Sequence, residues 1–156
     1  MGIALTTAGV TLRYAVETVK GTRPTSGYTI IPDIKSTPEF NPEPESLETT
    51  TLAETEFKTY TPALKDLGGA LPFTANYTNE FITSWGEVVS AYDEAVVEEK
   101  AVWFEINHPK LENSLYINGK PSELGLPAME VNSVMEISAY ITPLAAPVKG
   151  AKSTNE

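Results

Sequence analysis

Apolar and polar residues alternate with a period of two along much of this chain, and the longest such stretch covers residues 129–142. Met129, Val131, Met135, Ile137, Ala139 and Ile141 fall on one face, with Ser133 as the polar interruption; Glu130, Asn132, Glu136, Ser138, Tyr140 and Thr142 give the other face a mostly polar character. The pattern predicts a single extended strand of about 45 Å at roughly 3.3 Å per residue, where about five or six residues is usual. A strand of that length is oversized for one small domain and suggests a larger object built from several copies.

Shorter stretches carry the same signal. Val10, Leu12, Tyr14 and Val16 alternate with Thr11, Arg13, Ala15 and Glu17, predicting a first strand that ends before the turn-like Gly21-Thr22-Arg23-Pro24. A brief apolar run at 28–31 stops at Pro32. Leu71, Phe73, Ala75 and Tyr77 alternate with Pro72, Thr74, Asn76 and Thr78; Pro72, lacking a donor, suits an edge or the first residues of a strand. Val102, Phe104 and Ile106 predict another strand ending at His108-Pro109. Leu115 to Ile117 predicts one more, turning at Asn118-Gly119, a dipeptide that favours positive φ.

The period changes once. Phe81, Ile82, Trp85, Val88, Val89, Tyr92 and Val96 recur at three- and four-residue steps, predicting an amphipathic helix over about 79–99, capped by Thr78 or Asn79 and with Glu80 at its positive end. Asp93, Glu94, Glu98 and Glu99 oppose the dipole at the other end, so tertiary packing is expected to hold the helix. Strands plus one helix predict a mainly β protein: an antiparallel β-sandwich or partial barrel, with one flanking α-helix and a long extended loop over about 36–65. That domain is expected to span 1–143, followed by a flexible tail at 144–156.

The loop stands apart in composition. Residues 36–57 hold three prolines, six glutamates and no basic residue, with little apolar periodicity. Long segments of this kind are usually functional or disordered. Leu47, Leu52, Phe57, Tyr60 and Leu64 are apolar handles for a partner, so the segment reads as an arm that orders when bound.

Charge and cysteine content narrow the function. With 21 acidic against 11 basic residues the formal charge of −10 disfavours binding to a phosphate backbone. Cysteine is absent, which removes disulfides, thiolate metal sites and thiol nucleophiles, and fits assembly in a reducing cytoplasm. The N-terminus lacks a basic leader, so no signal peptide is expected, and no apolar run approaches the roughly 20 residues that span a bilayer.

Catalytic, cofactor and metal sites are not expected. The single histidine, His108, has no second imidazole to join it and reads as a turn residue. Glu43 with Glu45, and Glu54 with Glu56, lie in the arm without the spacing of a calcium loop and read as solvated charge. Gly68-Gly69 and Gly125 lack the order of a phosphate loop. Asn76-Tyr77-Thr78 matches a glycosylation sequon but reads as strand. Trp85 belongs to the helix's apolar stripe; Trp103, opposite Val102, Phe104 and Ile106, could pack under the helix or meet another subunit.

Several stretches together resemble the tail tube proteins, or major tail proteins, of long-tailed bacteriophages and prophages. They are Ala4-Leu-Thr-Thr-Ala-Gly9 with Tyr14-Ala-Val-Glu-Thr18; Gly21-Thr-Arg-Pro-Thr25; Ile31-Pro-Asp-Ile-Lys-Ser36; Asn41-Pro-Glu-Pro-Glu45; Leu47-Glu-Thr-Thr-Thr-Leu52; Leu64-Lys-Asp-Leu-Gly-Gly69; and Ala139-Tyr-Ile-Thr-Pro143. The resemblance implies a virion structural protein without catalytic residues, a β-sandwich with a flanking helix. It implies self-assembly into hexameric rings with a β-lined channel, stacked into a tube through which DNA leaves the capsid. It further implies contact with a tape measure, a tail terminator and baseplate or tip proteins, and assembly in the cytoplasm of a host bacterium.

The residues fit that expectation at three points. A long strand can supply channel wall, an arm with apolar handles can clasp the next ring, and an acidic wall would not hold DNA. Leu47, Leu52, Phe57 and Tyr60 are the candidates for inter-ring contact, backbone pairing by 129–142 for lateral contact, and Glu130 and Glu136 for channel lining. The rival reading is a monomeric β-sandwich module that binds carbohydrate or a surface, motivated by Trp103; a hydrolase using paired glutamates stands third.

Overall fold

Leu12, Phe73, Val102, Phe104, Ile117 and Ile141 come from separate stretches of alternation and converge on one buried core. The strands that carry them are β1 (Thr11–Val16), β6 (Leu71–Asn76), β7 (Val102–Asn107), β8 (Asn113–Pro121) and β9 (Glu136–Pro143). Short strands β2 (Thr29–Ile31) and β3 (Ile34–Ser36) stand at the two ends of the sheet, whose order is β2-β1-β7-β8-β9-β6-β3. Every pairing among these strands is antiparallel, and the sheet curls into a nearly closed, barrel-like wall, as the sequence predicts. These assignments come from a computed structural model that describes residues 4–6, 8–40, 46–53, 55–62 and 69–154. The chain forms two compact units, Met1–Pro38 with Ala70–Glu156, and Glu39–Gly69.

Helix α1 (Asn79–Val97) packs on β1, β2, β7 and β8 through Phe81, Trp85, Val88 and Ala95. Phe81 and Trp85 stack at 5.9 Å, and the Trp85 indole N–H donates to the carbonyl of Ser122 at 2.8 Å. Thr78 is the N-cap, its hydroxyl accepting from the Phe81 N–H at 3.2 Å. The helix ends where Glu99 takes a φ of 58° and the Lys100 N–H returns to the Ala95 carbonyl at 2.8 Å. The acidic C-terminus is partly compensated by exposed ion pairs, Lys100 to Glu98 and Lys20 to Glu99. Ile82 and Val96, expected on the apolar stripe, are exposed instead, because Phe81 and Ala95, each a residue earlier and about a quarter-turn away, take the core-facing positions.

The predicted 129–142 strand is not continuous. Its second half becomes β9, with Ala139 and Ile141 buried and Tyr140 exposed, so the phase of the alternation is right. Its first half has no strand partner: Val131 and Asn132 form a turn, and Asn132 adopts a φ of 60°, which no extended strand tolerates. Alternation specifies faces; it does not supply a neighbouring strand.

Two further expectations change. Asn118-Gly119 is not a turn but the middle of β8, where the strand leaves its pairing with β7 and takes up β9. Gly119 is needed there for space: a Cβ would lie 2.5 Å from the Ile141 methyl Cγ2 and 3.1 Å from the Thr142 carbonyl oxygen. The segment 144–156, expected to be a flexible tail, contains β10 (Val148–Ala151), which pairs antiparallel with residues 113–116 of β8. That flank of β8 is left open by β9, so a third strand can occupy it.

Within the second unit, β4 (Ser46–Glu48) and β5 (Tyr60–Pro62) pair as a hairpin, where the sequence predicts only an extended loop. Threonines extend the pairing: the Thr49 N–H donates to the Thr59 carbonyl at 2.7 Å, and the Thr59 N–H to the Thr50 hydroxyl at 2.9 Å.

Candidate assembly surfaces

The four arm residues predicted to make contact are all exposed: Leu47, Leu52, Phe57 and Tyr60. Leu52 is fully solvated at 106% relative accessibility, so nothing in the unit covers it. Leu64, Glu43, Glu45 and Glu54 lie outside the described residues. A second apolar set follows β8. Leu126, Met129, Val131 and Val134 are exposed on a segment without regular structure, Val131 at 89%. Exposed apolar side chains scattered singly are ordinary; it is contiguous patches of them that partners cover.

The two channel candidates do not share a strand. Glu130 is exposed in the irregular segment beside the Val131-Asn132 turn. Glu136 opens β9, opposite Asn76 of β6, and its carboxylate is held by the Lys35 ammonium of β3. The premise that put them on one polar strand face is therefore corrected by the turn at Asn132.

The residues that sequence reasoning missed are two buried carboxylates. β7 turns Val102 and Phe104 to the core, so Trp103 and Glu105 face the other way, a face that alternation assigns to solvent. That face is covered. Glu105 is completely buried; it accepts from the Ser153 hydroxyl at 2.6 Å, the Ser153 backbone N–H at 3.0 Å and the Tyr116 hydroxyl at 3.1 Å. Arg13 stands opposite it in register on β1 and Tyr116 on β8. The Arg23 guanidinium stacks 3.9 Å over the Tyr116 ring, and Tyr28 packs against the same ring at 5.9 Å. Burial pushes the Glu105 carboxyl up, but hydrogen bonds led by those of Ser153 outweigh it and hold the group below the ordinary carboxylate range. Burial and the Glu105 charge push the Tyr116 hydroxyl up, so the pair sits as carboxylate and neutral phenol.

Glu17 is the second. It accepts from the Trp103 indole at 2.9 Å, the Ala101 N–H at 2.9 Å and the Gly21 N–H at 3.2 Å. Burial raises its carboxyl, and the three donors more than offset this, leaving it lowered. Trp103 thus neither packs under the helix nor presents a free indole. The covering segments, 17–28 and 151–154, lie far from β7 in sequence, so no local signal marks either glutamate.

Neither carboxylate is poised for acid–base work, since each is saturated with donors and kept ionised. His108 accepts the Lys110 N–H on Nδ1 at 3.1 Å and lies 2.5 Å from the Thr6 carbonyl through Nε2, as a turn residue. Among the described residues no cluster of three or more metal-ligating side chains occurs, and no helix is long and apolar enough to cross a membrane.

No family model matches the sequence, and no curated protein matches it. The fold does have a counterpart among solved structures. The chain is similar, with a TM-score of 0.65 and 9% identity, to a chain in the cryo-EM structure of the anti-feeding prophage (AFP) baseplate, 6-fold symmetrised; the match covers 97% of this chain and 98% of that one.

Proposed function

We propose that this protein is a non-enzymatic structural subunit of a phage-type tail, forming stacked, six-membered rings around a channel for DNA. The observation that carries the reading is the fold correspondence over nearly the whole of both chains, the other being a chain of a six-fold-symmetrised prophage baseplate. At 97% and 98% coverage the correspondence reaches beyond any one part of the chain. The resemblance to tail tube proteins in the sequence points the same way from different information.

The exposed apolar segments have a use in such an assembly. Burying Leu47, Leu52, Phe57 and Tyr60 against a neighbouring ring is worth about 1.5–3 kcal/mol for each side chain. Their sum is comparable to the roughly 4–15 kcal/mol that association costs. Residues 129–135, outside any strand within the chain, would lie open to an adjacent subunit. Glu130 and Glu136 are both exposed and, where they face the channel, their carboxylates would repel DNA. In this reading the chain partners itself and other tail proteins, is assembled in a bacterial cytoplasm, and binds no cofactor.

Negative-stain imaging with mass measurement of the purified protein tests the proposal. Rings or tubes are the expected result; a protein that stays monomeric at high concentration, without added partners, would overturn it. The carbohydrate-binding reading rested on Trp103, whose indole N–H is engaged by Glu17.

A further inference from the structure

Strand β8 is paired along one flank with β7, while the other flank is divided: residues 119–121 take β9 and residues 113–116 take β10. The C-terminal segment reaches that flank over a short linker, 143–147, that begins and ends with proline. Its attachments are mostly polar. Beyond the four ladder positions of β10, the Lys152 ammonium donates to the His108 carbonyl at 2.7 Å, Ser153 donates twice to Glu105, and the Thr154 N–H donates to the Thr25 carbonyl at 3.0 Å. Val148, Lys149 and Ala151 are exposed, so detaching the strand uncovers little apolar surface of its own.

The seat is nonetheless selective. A Cβ at position 150 would lie 2.8 Å from the Arg23 guanidinium, so a larger residue there would have to push that side chain off its stack on Tyr116. Three residues further on, the seat requires a hydroxyl and a free backbone N–H for the buried Glu105 carboxylate. Residues 148–154 supply both, and the same residues of another copy supply them equally. Lys149 and Lys152 also give the segment a positive character in a chain of net charge −10, which favours its approach to a second copy.

We infer that the 113–116 flank of β8 is a docking site for residues 148–154 of a second copy, taken up by strand exchange about the 143–147 linker. Every hydrogen bond broken in opening is re-formed in the partner, so the equilibrium cost is confined to association and the linker, and short hinges of this kind invite exchange. The inference does not rest on the tube reading: two copies can exchange strands whether or not rings form.

The chain's lack of cysteine allows a direct test. Lys149 and Leu115 are register partners, and both line an open groove of about 540 Å³. Leu115→Cys and Lys149→Cys are made separately, mixed at high concentration and oxidised. The expected product is a disulfide-linked pair of the two different variants, in excess over same-variant pairs. The double variant, oxidised when dilute, should close within one chain and so shows that the seat accepts the bond. Closure of the double variant with no mixed pair from the single variants would overturn the inference, and so would failure of the double variant to close. Imaging for rings is a separate readout, so loss of the tube reading would be distinguishable from loss of strand exchange.

Discussion

Replacing Glu105 tests how the C-terminal strand is held. In Glu105→Ala, the Tyr116 hydroxyl keeps the Ala151 carbonyl as an acceptor, and the half-exposed Ser153 hydroxyl can turn to water. The Ser153 N–H keeps no acceptor. One stranded donor costs about 1–3 kcal/mol, and the one methylene removed from a buried site adds about 0.8 kcal/mol, so a loss of roughly 2–4 kcal/mol is expected. Glu105→Gln preserves shape and one acceptor oxygen and should lose about 1 kcal/mol. Urea unfolding followed by tryptophan fluorescence gives the midpoints, and hydrogen exchange locates the effect, which should fall on residues 148–154 before the core strands. The pH dependence has a definite sign. Because the folded carboxyl is held below its ordinary 4.5, its contribution is present above that pH and is lost as pH falls through the lower folded value. The gap between the native protein and Glu105→Gln should therefore narrow in acid below about pH 4.5. Equal midpoints at neutral pH, or a gap unchanged throughout the acid range, would refute this account of Glu105.

Gly119→Ala should destabilise by about 1–3 kcal/mol, read from urea midpoints, because the added methyl meets Ile141 at the β8–β9 junction. Converting Leu47, Leu52, Phe57 and Tyr60 together to serine should shift the core's unfolding midpoint by no more than about 0.5 kcal/mol, yet abolish longitudinal growth in negative-stain images. Normal-length tubes from that variant would remove the arm from the axial contact. Glu130→Lys with Glu136→Lys should slow DNA ejection without blocking tube growth, since a cationic wall retains phosphate; unchanged ejection kinetics would count against a channel position for both.

Where a pattern was complete in itself, the sequence was readable. Alternation located β1, β6 and β7 to within about two residues, and the change of period located α1, with Thr78 as one of the two caps it offered. What failed depended on distant parts of the chain. The 129–142 pattern predicted faces but could not reveal that residues 129–135 lack a partner strand. Asn118-Gly119 carries a turn's signature, yet the glycine is there because Ile141 comes close from a strand some twenty residues away. Glu105 sits in the polar phase of β7 and is buried only because residues 151–154 and Arg23 return to cover it. The exposure of Leu47, Leu52, Phe57 and Tyr60 agrees with the lack of apolar periodicity around them, which offers them no common face to bury.

Strand β8 has a mechanical consequence of its own. It is the single ribbon common to both halves of the wall, gripped by β7 and β10 near its start and by β9 near its end. At Gly119 the ladder changes partner, at a point packed too closely by Ile141 and the Thr142 carbonyl to admit a side chain. Shear between the two halves is therefore shared: β8 carries it within the ladder, and the helix, which leaves β6 and packs on β1 and β7, braces the same halves from one side.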